Sequence, residues 1–281
     1  MNNIQEELKR GSKFLKKNFI NTYKIDSELL LGKVLNKGRE YLFLNYKENL
    51  SDELIKKFES LLKRRKKKEP VAYILNCKEF WKNNFYVDQN VLIPRPDTEI
   101  LVEEIMKLYG KQKKLSILDV GTGSGCIIIS ILKERQKFRA TAIDISKKAL
   151  NIAKYNAKMH HLNNRIKFYK SSVDNFFKHK YDLIVSNPPY ISKLKLKYLD
   201  KDILGFEPTL ALEGGIDGFN VFSKIVKKSS MFLKIGGKLV LEIGFDQKFE
   251  MLKLLKKHNF FINKIVKDYG GRDRCVICTK L

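Results

Sequence analysis

Cysteine is scarce in this chain, and the four present, Cys77, Cys126, Cys275 and Cys278, are scattered. That usage excludes the disulfide framework that staples small secreted domains. With no charged-then-apolar leader at the start, the expected compartment is the cytoplasm. Long hydrophobic runs are missing too. Crossing a bilayer takes roughly 20 apolar residues, and the run "GCIIISIL" is closed at once by Lys133. No membrane association is expected. Acidic residues are outnumbered, 31 against 56 Lys and Arg, which leaves a formal net charge of +25. A basic surface gains affinity for phosphate by releasing counterions. Yet only ten of those cations are arginine, the side chain whose fork suits phosphate and base edges. The excess therefore reads mainly as solvated helix faces, with some contribution to meeting an acidic or ribosome-associated partner. Sequence-specific nucleic-acid binding is not expected. Internal repeats are absent, and 43% hydrophobic residues suffice for real cores.

Residues 1–75 carry helical rather than strand periodicity. Leu29, Leu30, Val34 and Leu35 share one helical face, and Leu54, Ile55, Phe58, Leu61 and Leu62 share another. A small helical bundle follows, with Ser51 as an N-cap ahead of Asp52 and Glu53. Six consecutive basic residues, 63–68, then Pro70, mark a helix end and a hinge, read as a solvated last turn. Residues 76–95 are rich in aromatic and β-branched side chains and predict a β-hairpin linker turning at "DQN", 88–90. The segment after "IPRPDTE" predicts a helix closed by Gly110 in a left-handed cap. From 96 to 281 the strands "LSILDV", "ATAIDI", "IKFYKS", "YDLIVS" and "KLVLEIG" alternate with helical segments. That alternation is the signature of an α/β domain with a parallel sheet and right-handed crossovers.

The first of these strands runs into "DVGTGSG", residues 119–125, and then a helix. Glycines let backbone N–H groups approach a ligand at a helix start, where the dipole favours negative charge. Asp144 ends the next strand, the place from which a ribose diol is gripped; its structural alternative, capping the next helix, falls more naturally to Ser146. A dinucleotide and S-adenosylmethionine compete for this loop. The spacing is GxGxG rather than GxGxxG, and Asp119 stands where it can face a cationic amino group instead of a pyrophosphate. S-adenosylmethionine is the better cofactor, with Asp119, Gly121, Thr122, Gly123, Ser124, Gly125 and Asp144 as its contacts.

The fourth strand stops at "SNPPY". Pro188 and Pro189 end the ladder and hold the neighbouring backbone extended and rigid. Ligands lie beyond the carboxyl ends of strands in open α/β sheets, so Asn187 falls beside a transferable methyl. A planar amide or aromatic amine is a poor nucleophile because its lone pair is delocalised. Two acceptors, the Asn187 side-chain oxygen and the Pro188 carbonyl, would orient its N–H groups and favour positive charge as the methyl arrives. Asn187 and Pro188 are thus the catalytic candidates, and Pro189 and Tyr190 join them as substrate contacts, Tyr190 by stacking.

On "EPVAYIL", "EFW", "VLIPRPDTEILVE", "ILDVGTGSG", "AIDIS", "VSNPPYI", "EPTLALEGGIDGF" and "LEIGFDQ", in that order, the chain resembles the peptide chain release factor glutamine N5-methyltransferases. The resemblance implies a class I S-adenosylmethionine-dependent methyltransferase domain, Rossmann-like, over 96–281, with a seven-stranded, mostly parallel sheet whose last pair includes an antiparallel strand. It implies a helical domain over 1–75 that helps hold the release factor, and an enzyme acting on the glutamine of a Gly-Gly-Gln loop. Where the family carries an acid near the adenine, this chain reads "KSSVDNFF", so Ser172 or Val173 takes that place and Asp174 is displaced. A sister family methylates a ribosomal-protein glutamine with the same loop. Adenine-N6 and guanine-N2 nucleic-acid enzymes share "NPPY", but the chain has no extra segment able to present a flipped base.

Other residues attract less chemistry. "CVIC" has metal-like spacing, but one pair cannot complete a tetrahedral site, and packing is expected; no metal is. His160, His161, His179 and His258 are assigned no role. Glu242 ends a strand on the ligand side, where orienting the substrate loop and a plain structural role are equal readings.

Overall fold

The computed structural model describes residues 2–111, 113–177 and 180–281; His179 lies outside them. The chain divides into two compact units, one formed by residues up to Cys77 together with Asp200–Phe206, the other by Lys78–Leu199 and Glu207–Leu281.

The first unit is helical. Its opening helix, Ile4–Lys17, starts with a reciprocal capping box between Asn3 and Glu6. Ser51 caps the helix Asp52–Lys66 through the Leu54 N–H, as its sequence context predicts. Leu15, Leu30, Leu31, Leu42, Phe58 and Leu62 fill the core, with Val34, Leu35, Leu54, Ile55 and Leu61 packed around them. The basic run is not wholly solvated. Arg65 is buried, and its guanidinium donates to Asp26 at 2.8 Å and to Asp202 at 2.7 Å. A buried cation needs partners, and one of them comes from far along the chain.

The second unit opens with a hairpin, β1 (Lys78–Phe80) and β2 (Asn83–Phe85). Its turn is at Trp81 and Lys82, not at 88–90. Both residues take positive φ, 47° and 63°, as a two-residue hairpin turn requires. Trp81 accepts that conformation while its backbone N–H donates to Glu99 and its indole N–H to Glu134. Asp88 instead closes a local turn by accepting from the Asn90 N–H. A second expectation also fails. The helix Glu99–Leu108 ends on an extended Tyr109 rather than a left-handed Gly110, because the Tyr109 ring packs edge-on against Phe138 and its carbonyl accepts from Arg135.

The sheet has seven strands: β3 (Ser116–Val120), β4 (Arg139–Asp144), β5 (Ile166–Lys170), β6 (Tyr181–Ser186), β7 (Leu233–Glu242), β8 (Phe260–Lys267) and β9 (Asp273–Lys280). Their spatial order is β5-β4-β3-β6-β7-β9-β8, parallel up to β7, with β9 antiparallel to both neighbours. Side chains alternate between two cores. Ile117, Leu183, Val185 and Ile277 pack with the helices Glu99–Leu108 and Cys126–Glu134; Leu118, Ile184, Leu239 and Val276 pack with Asn220–Phe232 and Lys248–Lys257. The same period separates the two cysteines of "CVIC": Cys275 belongs to one core and Cys278 to the other. They cannot share a metal ion, and both thiols are pushed up by burial. Strands are added outward from β3 on one side through β5 and then, from β6, on the other, which makes the space beyond the carboxyl ends of β3 and β6 the switch point where such sheets bind ligands. No helix among the described residues is long and apolar enough to cross a membrane.

Candidate functional site

A cavity of about 520 Å³ opens at that switch point, a volume suited to a nucleoside-sized ligand plus a second reactant. Its walls bring together Gly121, Thr122, Gly123 and Ser124 after β3, Asp144 at the end of β4, Ser172 and Val173 after β5, and Asn187, Pro188 and Pro189 after β6. Three sequence-chosen residues are not on the wall. Asp119 is buried beneath the loop, Gly125 faces the helix packing, and Tyr190 is drawn under "NPPY".

The glycine loop is shaped by backbone requirement. Gly121, Gly123 and Gly125 all have positive φ, which side chains other than glycine resist. At Gly125 a Cβ would also meet Ile129 at 2.9 Å and Ala153 at 3.3 Å, so its smallness lets two helices approach. Asp144 ties this loop to β4: its two oxygens accept from the Gly123 and Ser146 N–H groups at 2.9 and 2.8 Å. Burial raises its pKa, against the pull of those donors. Ser146 is the N-cap of Lys147–Met159, so Asp144 is left pointing at the loop. Asn156, fully buried and not foreseen from sequence, braces the outer side by donating to the Ser124 carbonyl and binding the Tyr86 backbone.

Asp119 carries an unusual electrostatic load. One oxygen accepts from the Thr122 hydroxyl at 2.6 Å, and the other has no hydrogen-bond partner among the described residues. Burial pushes its carboxyl up to about 7; the Thr122 bond opposes the rise and Asp144 adds to it. An orphaned, buried acceptor of this kind is stabilised by a cation or an N–H donor. After β5, Ser172, Val173 and Asp174 all line the cavity, so Asp174 is not displaced from it as its sequence context suggests; it pairs there with Lys224, 3.5 Å away.

The "NPPY" loop is held from three sides. Asn187 donates its side-chain N–H to Thr98 Oγ1 at 3.1 Å, and Thr98 donates to Glu242 at 2.6 Å. Tyr190 donates to the other Glu242 oxygen at 3.2 Å and receives an N–H of Arg274 at 3.3 Å. Burial and Glu242 raise the Tyr190 phenol, and burial lifts Glu242 to about 7. Of the two readings of Glu242, the contact with the substrate loop is thus present. From the third side, residues 212–218 run alongside: the Ile191 N–H reaches Leu212, and Gly214 reaches back to Ile191. Gly218, at φ 85°, lies so close that a Cβ would stand 2.5 Å from the Tyr190 carbonyl. Among the described residues, no donor is bonded to Asn187 Oδ1 or to the Pro188 carbonyl.

These contacts explain why the separated motifs occur together. Glu207 of "EPTLAL" accepts from the Ile93 N–H at 3.1 Å and from Arg95 at 2.6 Å, locking the "IPRPDT" segment whose Pro94, Arg95 and Thr98 line the cavity. Thr98, Glu207 and Asn156 carry no signal in the sequence, since nothing local marks partners 32 to 144 positions away.

Sheet order, glycine loop and cavity define a methyltransferase of the class I, Rossmann-like kind. The fold is shared with a methyltransferase of known structure from Pyrococcus furiosus: TM-score 0.53 and 17% identity, over 70% of this chain and 88% of that one. Family models match in two places, the PrmC N-terminal domain at residues 6–75 and the methyltransferase small domain at residues 96–203. A release factor glutamine methyltransferase from Clostridium botulinum is 38% identical over 280 residues, covering 99% of each chain. The chain belongs to the release factor glutamine methyltransferase family. A bifunctional methyltransferase from Rickettsia felis is 37% identical over 98% of this chain. The chain spans only 54–57% of the length of that protein and its Rickettsia counterparts.

Proposed function

We propose that this chain methylates the side-chain amide nitrogen, N5, of the glutamine in the Gly-Gly-Gln loop of peptide chain release factors, with S-adenosylmethionine as donor. The observation that carries this reading is the pair of unclaimed acceptors, Asn187 Oδ1 and the Pro188 carbonyl, on the wall of one cavity with the glycine loop. An amide NH₂ offers two N–H donors, and two fixed acceptors suit it. Held this way, the nitrogen is oriented and its growing positive charge is stabilised by preorganised dipoles.

The residues fit the cofactor. Asp119, one layer beneath the glycine loop, has a buried oxygen with no donor among the described residues, and its charge favours a cationic amino group bound over that loop. Asp144 keeps lone pairs free beyond its two backbone bonds and can accept from ribose hydroxyls. Ser172 and Val173 flank the place for the adenine. When bound, S-adenosylmethionine supplies an electrophilic methyl on a sulfonium. The chain's own part is to bind, to orient the amide with Asn187 and Pro188, and to keep its N–H groups away from water. Tyr190 supports the loop from beneath in this reading, rather than stacking on the substrate. The helical unit, matching the PrmC N-terminal domain, receives the body of the release factor. Free thiols at Cys126, Cys275 and Cys278 suit a reducing cytoplasm.

The test is to incubate the protein with methyl-labelled S-adenosylmethionine and, separately, release factor, a large-subunit ribosomal protein and DNA. Label on the release factor glutamine alone is expected. Label chiefly on the ribosomal protein or on DNA overturns the assignment.

A further inference from the structure

A hydrogen-bond acceptor at position 187 serves the reaction only if the amide is turned the right way round. Asparagine is nearly symmetric in shape, so packing alone does not choose between its oxygen and its nitrogen. The choice is made elsewhere in this structure. Glu242, at the end of β7, and Thr98, at the end of the turn Pro96–Thr98, are each only 2% exposed. An ionised carboxylate accepts and cannot donate, so the 2.6 Å contact commits the single Thr98 hydroxyl proton to Glu242. The Thr98 oxygen then has only lone pairs to offer, and Asn187 must meet it with N–H, as the 3.1 Å contact has it. Its Oδ1 is left for the cavity.

We propose that Thr98 and Glu242 are positioning residues that fix the polarity of the Asn187 amide, so that its oxygen rather than its nitrogen meets the substrate nitrogen. The inference rests on the proposed amide methylation. A reversed amide would set N–H against N–H and cancel half of the substrate's orientation. Glu242 performs a matching task on its other oxygen, where it accepts the hydrogen bond of the Tyr190 hydroxyl and leaves the phenol oxygen to accept from Arg274. One buried carboxylate thereby sets the direction of hydrogen bonding at both ends of "NPPY". Glutamine in its place has an NH₂ to give, which lets Thr98 accept and turn its own proton toward Asn187.

The experiment is single-turnover methyl transfer to a release factor at saturating S-adenosylmethionine, buffered above the pH near 7 at which the buried Glu242 titrates. Thr98→Val keeps the shape and deletes the hydroxyl; Thr98→Ser restores it. Thr98→Val and Glu242→Gln should each slow transfer about tenfold, with dissociation constants for cofactor and release factor changed less than about twofold, and Thr98→Ser should run at the wild-type rate. In an Asn187→Ala background, Thr98→Val should add nothing, because its effect passes through Asn187. A wild-type rate in Thr98→Val, or equal slowing with and without Asn187, overturns the inference. If Thr98→Val does not fold, Thr98→Ala completes the same cycle. A wild-type enzyme that leaves the release factor glutamine unmethylated overturns the functional reading; an active one indifferent to both substitutions overturns this inference alone.

Discussion

Replacing Asp119 by asparagine probes the most unfavourable charge in the cavity region. Its carboxyl titrates at about 7 in the fold against 3.8 in an unperturbed chain, chiefly through burial. At 1.36 kcal/mol per unit, that raise corresponds to about 4 kcal/mol. The sign follows from proton counting. Between the two values the folded protein holds a proton that the unfolded chain has released, so stability is full below about pH 4, falls as pH rises, and levels off above about 7. Roughly 2–3 kcal/mol of the loss falls between about pH 5 and pH 8. Asparagine cannot titrate and removes this slope, while any cost of its buried NH₂ is the same at every pH. Urea denaturation of the cofactor-free protein at both pH values gives the comparison: wild type should lose roughly 2–3 kcal/mol more than Asp119→Asn on going to the higher pH. Glu242 titrates in the same direction but is present in both proteins, so it cancels. Parallel pH profiles would refute the argument. A cationic amino group beside Asp119 would lower its pKa again, so cofactor affinity should climb as pH rises through about 7 in wild type and stay flat in the mutant.

Three further expectations follow from the same geometry. Asp144→Ala removes the tie to Gly123 and the proposed ribose acceptor, and should weaken cofactor binding by roughly 1.5–3 kcal/mol; unchanged affinity by calorimetry in a folded mutant takes Asp144 out of the site. Arg65→Met leaves Asp26 buried without its cation and should cost about 3 kcal/mol, the low end for a broken buried pair because Thr22 still donates to Asp26; a loss below about 1 kcal/mol in urea, typical of a surface pair, would show that Arg65 is better solvated than the structure has it. Gly218→Ala would push a methyl against the Tyr190 carbonyl, so turnover should fall with cofactor affinity kept, and a mutant of normal turnover would mean the 212–218 segment does not hold the loop.

Local signals carried far in this sequence. The five strands from "LSILDV" to "KLVLEIG" were recognisable because each alternates or runs apolar between clear breakers, and Ser51 and Ser146 cap where their context predicts. The glycine loop announces itself because positive φ demands glycine there, and "NPPY" because two prolines stop the strand that ends at Ser186. What escaped is non-local. The hairpin turns at Trp81–Lys82, a pair with no turn preference, because Glu99 and Glu134 hold the tryptophan. Arg65 looks like one more solvated cation until Asp26 and Asp202 surround it. Asp119 and Tyr190 have the right chemistry for ligand contacts, yet their burial beneath the loops follows from packing that neighbours in sequence do not reveal.

The proposed reaction depends most on Asn187 as the acceptor for the amide that is methylated. Asn187→Ala deletes this acceptor and keeps the Pro188 carbonyl, so half of the orientation survives. Single-turnover methylation of a release factor, read beside a direct cofactor titration, separates chemistry from binding. Transfer should slow roughly 10²–10³-fold, about 2.7–4 kcal/mol of transition-state stabilisation, while cofactor affinity barely moves because the glycine loop and Asp144 are untouched. Normal transfer in the mutant, or a defect that lies wholly in cofactor binding, would contradict it.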